Sequence, residues 1–203
     1  MASGATVTDT NSSSTINLEG GTAGTTASWG PPSTYPATNG SWNLVSTQKF
    51  AWDGWNLSME LNGVNAAVRS MGWGLDLSGS EQGAGGVGGL VFMTEVASNQ
   101  THHPTFDGNG NVMSMRRGDG VAISQHEYGP FGETLTNRDG FVGTNPWWFS
   151  TKYQDGPTGL VYFGYRYYSP GTGRWLNRDP LDEQGGLNLY DAFENDAMDL
   201  VDP

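Results

Sequence analysis

Four groups of residues in this 203-residue chain are of types that do chemistry. The run Gly83-Ala-Gly-Gly-Val-Gly-Gly89 has the glycine density of a phosphate-cradling loop, which needs a strand before it, a helix after it and usually a lysine. Leu90-Val-Phe-Met93 reads as a strand and no lysine is near. The run is therefore expected to be a turn that lets two backbones approach closely. His102, His103 and His126 are metal-ligand types, but the chain has no Cys and no HExxH frame, so they read as loop and strand residues. Asp182, Glu183, Asp191, Glu194, Asp196 and Asp199 supply carboxylates without the alternating oxygens and central Gly of a calcium loop. No metal and no cofactor is called for. Trp147-Trp148 and the tyrosines between 162 and 168 offer ring faces that stack on sugars or fill a core. Core packing is favoured, because aliphatic side chains are few.

The elements that must position these residues are strands. With 31 Gly and 10 Pro, long helices are not expected. Few aliphatics and a net charge of -12 approach a disordered composition, but 8 Trp, 8 Tyr and 8 Phe supply the buried area of a folded, turn-rich β protein. Residues 1–47 are rich in Ser, Thr and Gly and read as a flexible, disordered lead, with a short strand at Ser41 to Val45. From Gln48 onward, short apolar runs are separated by turn pairs. Phe50-Ala-Trp52, Asp53-Gly54, the alternating Trp55 to Leu61, and Asn62-Gly63 predict strand, turn, strand, turn, since these pairs suit the positive φ of tight hairpins. The layout recurs at Phe106 to Val112 and around Arg117-Gly-Asp-Gly120. The last 63 residues hold 13 of the 24 aromatics, so most of the core is expected there. A short helix is expected from Leu189 to Met198, capped by Asn188, with Leu189, Phe193 and Ala197 on one face.

A pI near 4.3 opposes a nucleic-acid partner, because binding a phosphate backbone releases counterions in exchange for cations. No basic residue follows Arg178, and seven acids lie between Leu181 and Pro203. No 18-residue apolar stretch and no signal-peptide pattern occurs, so no transmembrane segment is expected and localisation stays open.

Several blocks carry a resemblance. Tyr128-Gly-Pro-Phe-Gly-Glu133, Asn145-Pro146 with Phe149-Ser150, Tyr153-Gln-Asp-Gly-Pro-Thr-Gly-Leu160, Tyr165-Arg-Tyr-Tyr-Ser-Pro170, Gly173-Arg-Trp-Leu176, Arg178-Asp-Pro180, Gly186-Leu-Asn-Leu-Tyr190 and the terminal Val201-Asp-Pro203 resemble the Rhs repeat-associated core domain of bacterial Rhs and YD-repeat proteins. The hairpins upstream resemble degenerate YD repeats of the same family. The resemblance covers about residues 48–203 and divides the chain into a lead (1–47), hairpin repeats (48–134) and a core domain (135–203).

It implies a shell of β-hairpins around a C-terminal toxin, with the core domain as the plug, and members that are secreted or at the cell surface. Implied partners are upstream YD repeats and a toxin. In several members the core is an intramolecular aspartyl protease that releases the toxin after an Asp-Pro-x-Gly-Leu sequence. The matching positions are Arg166, Asp179 and Asp202. One carboxylate would take a proton from water while another gives one to the leaving amide, with the guanidinium beside one of them. Asn195-Asp-Ala197 stands where the family has Asn-Pro, and no x-Gly-Leu follows Pro203, so cleavage in cis is expected to lack a substrate in this chain. The leading expectation is a structural plug, in which Arg166 and Asp179 are an ion pair tying strands. The alternatives are an aspartyl autoprotease and a carbohydrate-binding surface module.

Overall fold

The computed structural model describes residues 46–139, 145–180, 188–193 and 196, together with the backbone of three strands nearer the N-terminus. Those three, β1 (Ala5–Asp9), β2 (Ser12–Leu18) and β3 (Gly24–Ser28), lie inside the Ser/Thr/Gly-rich lead; β1 pairs with β2, and β3 pairs with β4. The strand expected at Ser41 to Val45 lies outside the described residues.

Eight further strands extend the sheet that β3 begins: β4 (Ser46–Asp53), β5 (Asn56–Asn62), β6 (Ala67–Trp73), β7 (Leu90–Glu95), β8 (Gln100–Phe106), β9 (Val112–Arg117), β10 (Ala122–Tyr128) and β11 (Thr134–Asp139). Every strand pairs antiparallel with its sequence neighbour, in the order β3 through β11. The turn pairs fall where the sequence places them. Gly54 takes φ +57 between β4 and β5, a conformation that a Cβ would disfavour.

Pairing registers slip by a residue at Ala51/Trp52, Glu60/Leu61, Gly72/Trp73, Thr105/Phe106, Ala122/Ser124 and Glu127/Tyr128. Such irregularities bend strands and raise their twist. The sheet curls accordingly, and residues of β4, β5 and β6 face Thr134 and Asn137 of β11 across a single cavity.

A second, four-stranded sheet follows: β12 (Tyr153–Gln154), β13 (Val161–Tyr162), β14 (Tyr167–Ser169) and β15 (Arg174–Trp175), again paired in sequence order. Between the sheets, Asn145 to Lys152 form a strap that includes one 3-10 turn, Phe149–Thr151.

The core is divided, which corrects the expectation that the last third holds most of it. Phe50, Leu57, Met71, Leu90, Met93, Val112 and Met115 pack with Trp147 of the strap inside the large sheet. Phe149, Val161, Phe163, Tyr168, Trp175, Ala192 and Phe193 form the second cluster, which is predominantly aromatic. Methionines fill the first because they adapt to the uneven space under a bulged sheet.

The short helix expected from Leu189 is not formed in its described part. The amides of Trp175 and Asp179 donate to the carbonyls of Tyr190 and Leu189, and Asp191 bridges to Arg174. A helix would need those carbonyls for its own ladder. The segment instead runs as a turn along β15 and drops Phe193 into the aromatic cluster; its continuation lies outside the described residues.

Candidate functional site

The strap joins the two cores and reaches back to two turns of the large sheet. The Val112 amide donates to the Trp148 carbonyl at 3.0 Å, and the Ser150 amide donates to Asn111 Oδ1 at 2.7 Å. Thr151 Oγ1 donates to the Gly110 carbonyl and accepts the Gly88 amide at 2.9 Å. The glycines permit this approach: a Cβ on Gly110 would lie 3.0 Å from the Gly88 nitrogen. Two phenols add long-range ties, with Tyr128 of β10 donating to the Val112 carbonyl at 2.6 Å and Tyr168 of β14 to the Phe131 carbonyl at 2.7 Å. Burial pushes both phenols well above their ordinary range.

Ser150 (φ 53) and Thr151 (φ 52) occupy the left-handed region, costing about 1–3 kcal/mol each, and for β-branched Thr the region is a true outlier. The bonds just given hold them there. Their effect is to turn Lys152 inward, where it is 6% exposed, donates to the Gly85 carbonyl at 2.8 Å, and lies over the rings of Trp55 and Phe163.

The glycine-rich run is organised around Asp76. Its Oδ2 accepts the amides of Ala84 (2.7 Å) and Gly86 (3.1 Å), and Oδ1 accepts both the amide (2.9 Å) and the hydroxyl (2.6 Å) of Ser78. Burial raises the Asp76 pKa, but these donors outweigh it and the carboxyl lies below its ordinary value. The loop thus encloses a carboxylate from its own chain in the position where a phosphate-binding loop would hold an anion.

Arg166 and Asp179 are brought together: Nη1 donates to Oδ2 at 2.8 Å, with both side chains 14% exposed. The guanidinium lies 4.1 Å from the Trp175 ring centroid, so the pair is roofed by the aromatic cluster. Asp202 lies outside the described residues, as do Asp182, Glu183, Glu194 and Asp199. His102 and His103 lie on β8 and His126 on β10, and no group of three or more metal-ligating side chains gathers among the described residues. Trp147 and Trp148 are both buried, at 1% and 9% exposure, against Trp73 with Tyr153 and against His126 with Tyr128, respectively. Neither stands out as a surface platform.

Toxin subunit YenC1 of Yersinia entomophaga is 36% identical over 113 residues, which is 54% of this chain and 12% of the relative. Toxin subunit YenC2 of the same organism is 43% identical over 89 residues, 42% of this chain and 9% of the relative. The chain is similar in sequence to these toxin subunits. No family model matches it. The crystal structure of TcdB2-TccC3 superposes with a TM-score of 0.62 over 93% of this chain and 9% of that one, at 24% identity, which shows the shared fold. The chain spans about a tenth of the length of the toxin subunits it matches. Among the described residues no helix is long and apolar enough to cross a membrane.

Sequence reasoning missed Glu60, Arg69, Asp76 and Lys152. For Lys152 the available signal was a lone lysine inside an aromatic-rich stretch, which would otherwise need water.

Proposed function

We propose that this chain is a structural C-terminal piece of an Rhs/YD-repeat shell, in which consecutive hairpins lead into an aromatic plug beside a C-terminal toxin. The observation that carries this reading is the strap. Residues 145–152 contribute Trp147 to the hairpin core and Phe149 to the plug core, so the two sheets are built as one wall. In this reading Arg166 and Asp179 fasten the loop after β13 to the segment after β15, and the Trp175 ring excludes water from the pair. Upstream repeats and a toxin are its proposed partners.

A second reading is favoured by one observation, the 2.8 Å contact between Arg166 and Asp179. Asp179, with Asp202 as the second carboxylate, would act as an aspartyl autoprotease: one takes a proton from the attacking water and the other delivers one to the leaving nitrogen.

One experiment separates the two. Leu-Gly-Leu followed by a reporter is appended after Pro203, in the parent and in Asp179→Asn. The structural reading expects an intact fusion in both and a lower unfolding temperature in Asp179→Asn. Release of the reporter in the parent alone would sink it in favour of the protease.

A further inference from the structure

A cavity of about 390 Å³ opens where the β4–β5 hairpin, β6, the strap and the plug sheet meet. This volume lies in the range of small-ligand sites. Eight of the thirteen described residues on its wall are aromatic, among them Trp52, Trp55, Trp73, Trp147, Tyr162 and Tyr165. Rings of the large sheet meet rings of the strap and plug in three pairs: Trp52 with Tyr162 at 5.4 Å, Trp55 with Tyr165 at 5.4 Å, and Trp73 with Trp147 at 5.3 Å. A polar atom of this wall is orphaned. Trp147 is 1% exposed, and its Nε1–H meets no acceptor among the described residues. By contrast, Trp73 Nε1 donates to the Leu57 carbonyl at 2.8 Å, and the Thr151 hydroxyl is engaged by Gly110 and Gly88. Buried donors are nearly always paired, so the Trp147 N–H calls for an explanation.

We infer that this cavity binds a neutral aryl compound with a hydrogen-bond acceptor, its ring packed among the indoles and phenols and its acceptor oxygen taking the Trp147 N–H. The inference goes beyond the structural reading of the chain and does not rest on it. A flat ring makes edge-to-face and offset contacts with aromatic walls and supplies the dispersion partners that an open aromatic space lacks. A buried donor without a partner carries a desolvation cost, which an acceptor on the ligand removes. Two other ligand classes fit less well. Aromatic walls suit an organic cation, but the Trp55 ring already carries the Lys152 ammonium 5.5 Å from its centroid, and an indole N–H calls for an acceptor. A sugar presents a hydroxyl on almost every ring carbon, each needing a polar partner once it leaves water, and a wall made mostly of rings offers few.

Acetophenone and ethylbenzene differ by a carbonyl in place of a methylene, so the pair isolates the acceptor. Each is titrated into the full chain, isotope-labelled at tryptophan, and binding is read from the indole N–H resonances. The titration runs to about 1 mM, where a compound of millimolar affinity already fills half of the sites. Acetophenone is expected to give a saturable shift, and ethylbenzene to bind roughly tenfold more weakly because it leaves the buried donor unpaired. Trp147→Phe is expected to erase the difference between the two compounds, and a difference that persists in this variant overturns the inference. Should that variant fail to fold, Tyr165→Ala, altered at a ring that is 81% exposed, is expected to weaken acetophenone binding severalfold with an unchanged circular dichroism spectrum. Benzylammonium and glucose stand for the two other ligand classes, and tighter binding of either than of acetophenone overturns the inference. So does equal affinity for acetophenone and ethylbenzene, unchanged affinity in Tyr165→Ala, or the absence of any shift with acetophenone.

Discussion

Glu60 and Arg69 stand directly opposite each other on β5 and β6, joined by a 2.7 Å contact from Nη1 to Oε2 inside the curled sheet. Gln48 of β4 donates to the other Glu60 oxygen at 2.9 Å, so the carboxylate links three adjacent strands. A buried pair of this kind adds little net stability, but removing one partner strands the other. Arg69→Met is therefore expected to cost about 3–5 kcal/mol in urea unfolding, and Glu60→Gln combined with Arg69→Met to recover most of that loss.

Asp76 predicts a local rather than a global weakness. Asp76→Ala removes the acceptor of three amides and one hydroxyl and is expected to cost about 2–4 kcal/mol, given the strength of bonds to a charged group. Limited proteolysis should then cut within residues 78–89. An uncut loop would contradict the role assigned to this carboxylate. Because the folded value is lowered from 3.8, the contribution is complete above about pH 4 and is lost as pH falls through the folded value.

His102 predicts acid sensitivity at a milder pH. Burial lowers its pKa from 6.5; the Glu95 carboxylate, 3.9 Å away, opposes the shift, and Arg117 and His103 add to it. The neutral ring is preferred in the folded chain, so stability is full above pH 6.5 and falls as acid protonates the unfolded chain first. Urea midpoints measured from pH 7.5 to 5 should decline in the parent, and the slope should flatten in His102→Gln. Parallel slopes would exclude His102 as the source.

The strap backbone supplies the fourth expectation. Ser150→Gly removes a Cβ from a left-handed position while keeping the amide bond to Asn111, and is expected to stabilise by about 0.5–1 kcal/mol. Thr151→Gly relieves the same strain but loses both hydroxyl bonds, and is expected to destabilise by about 1–2 kcal/mol. Thermal unfolding of the two variants should therefore shift in opposite directions.

The β class, the hairpins and their turns were legible because Asp-Gly and Asn-Gly report local backbone geometry, and the Arg166 and Asp179 blocks were legible through family resemblance. Long-range packing was not. Alternation of Leu57, Met59 and Leu61 places Glu60 on the opposite, nominally wet face, yet it is 1% exposed. Register slips on both sides of β5 and the curl of the sheet turn that face inward. The helix expected at Leu189 failed for a related reason: a neighbouring strand edge claims carbonyls that local periodicity assigns to a helix. Lys152 was missed because its burial depends on glycine turns 41 and 67 residues upstream of the strap residues that meet them.

The strap also sets an order of events in time. Each hairpin of the large sheet closes between sequence neighbours, so its loop entropy is small and its pairing fast. The strap's bonds to Asn111, Gly110, Gly88 and Gly85 span 39, 41, 63 and 67 residues. Those contacts have the larger closure cost and a target that exists only once the turns around Gly88 and Gly110 are in place. During synthesis from the N-terminus the hairpins must therefore wait, with their methionine and leucine face open to solvent, until Trp147 has emerged to cover it.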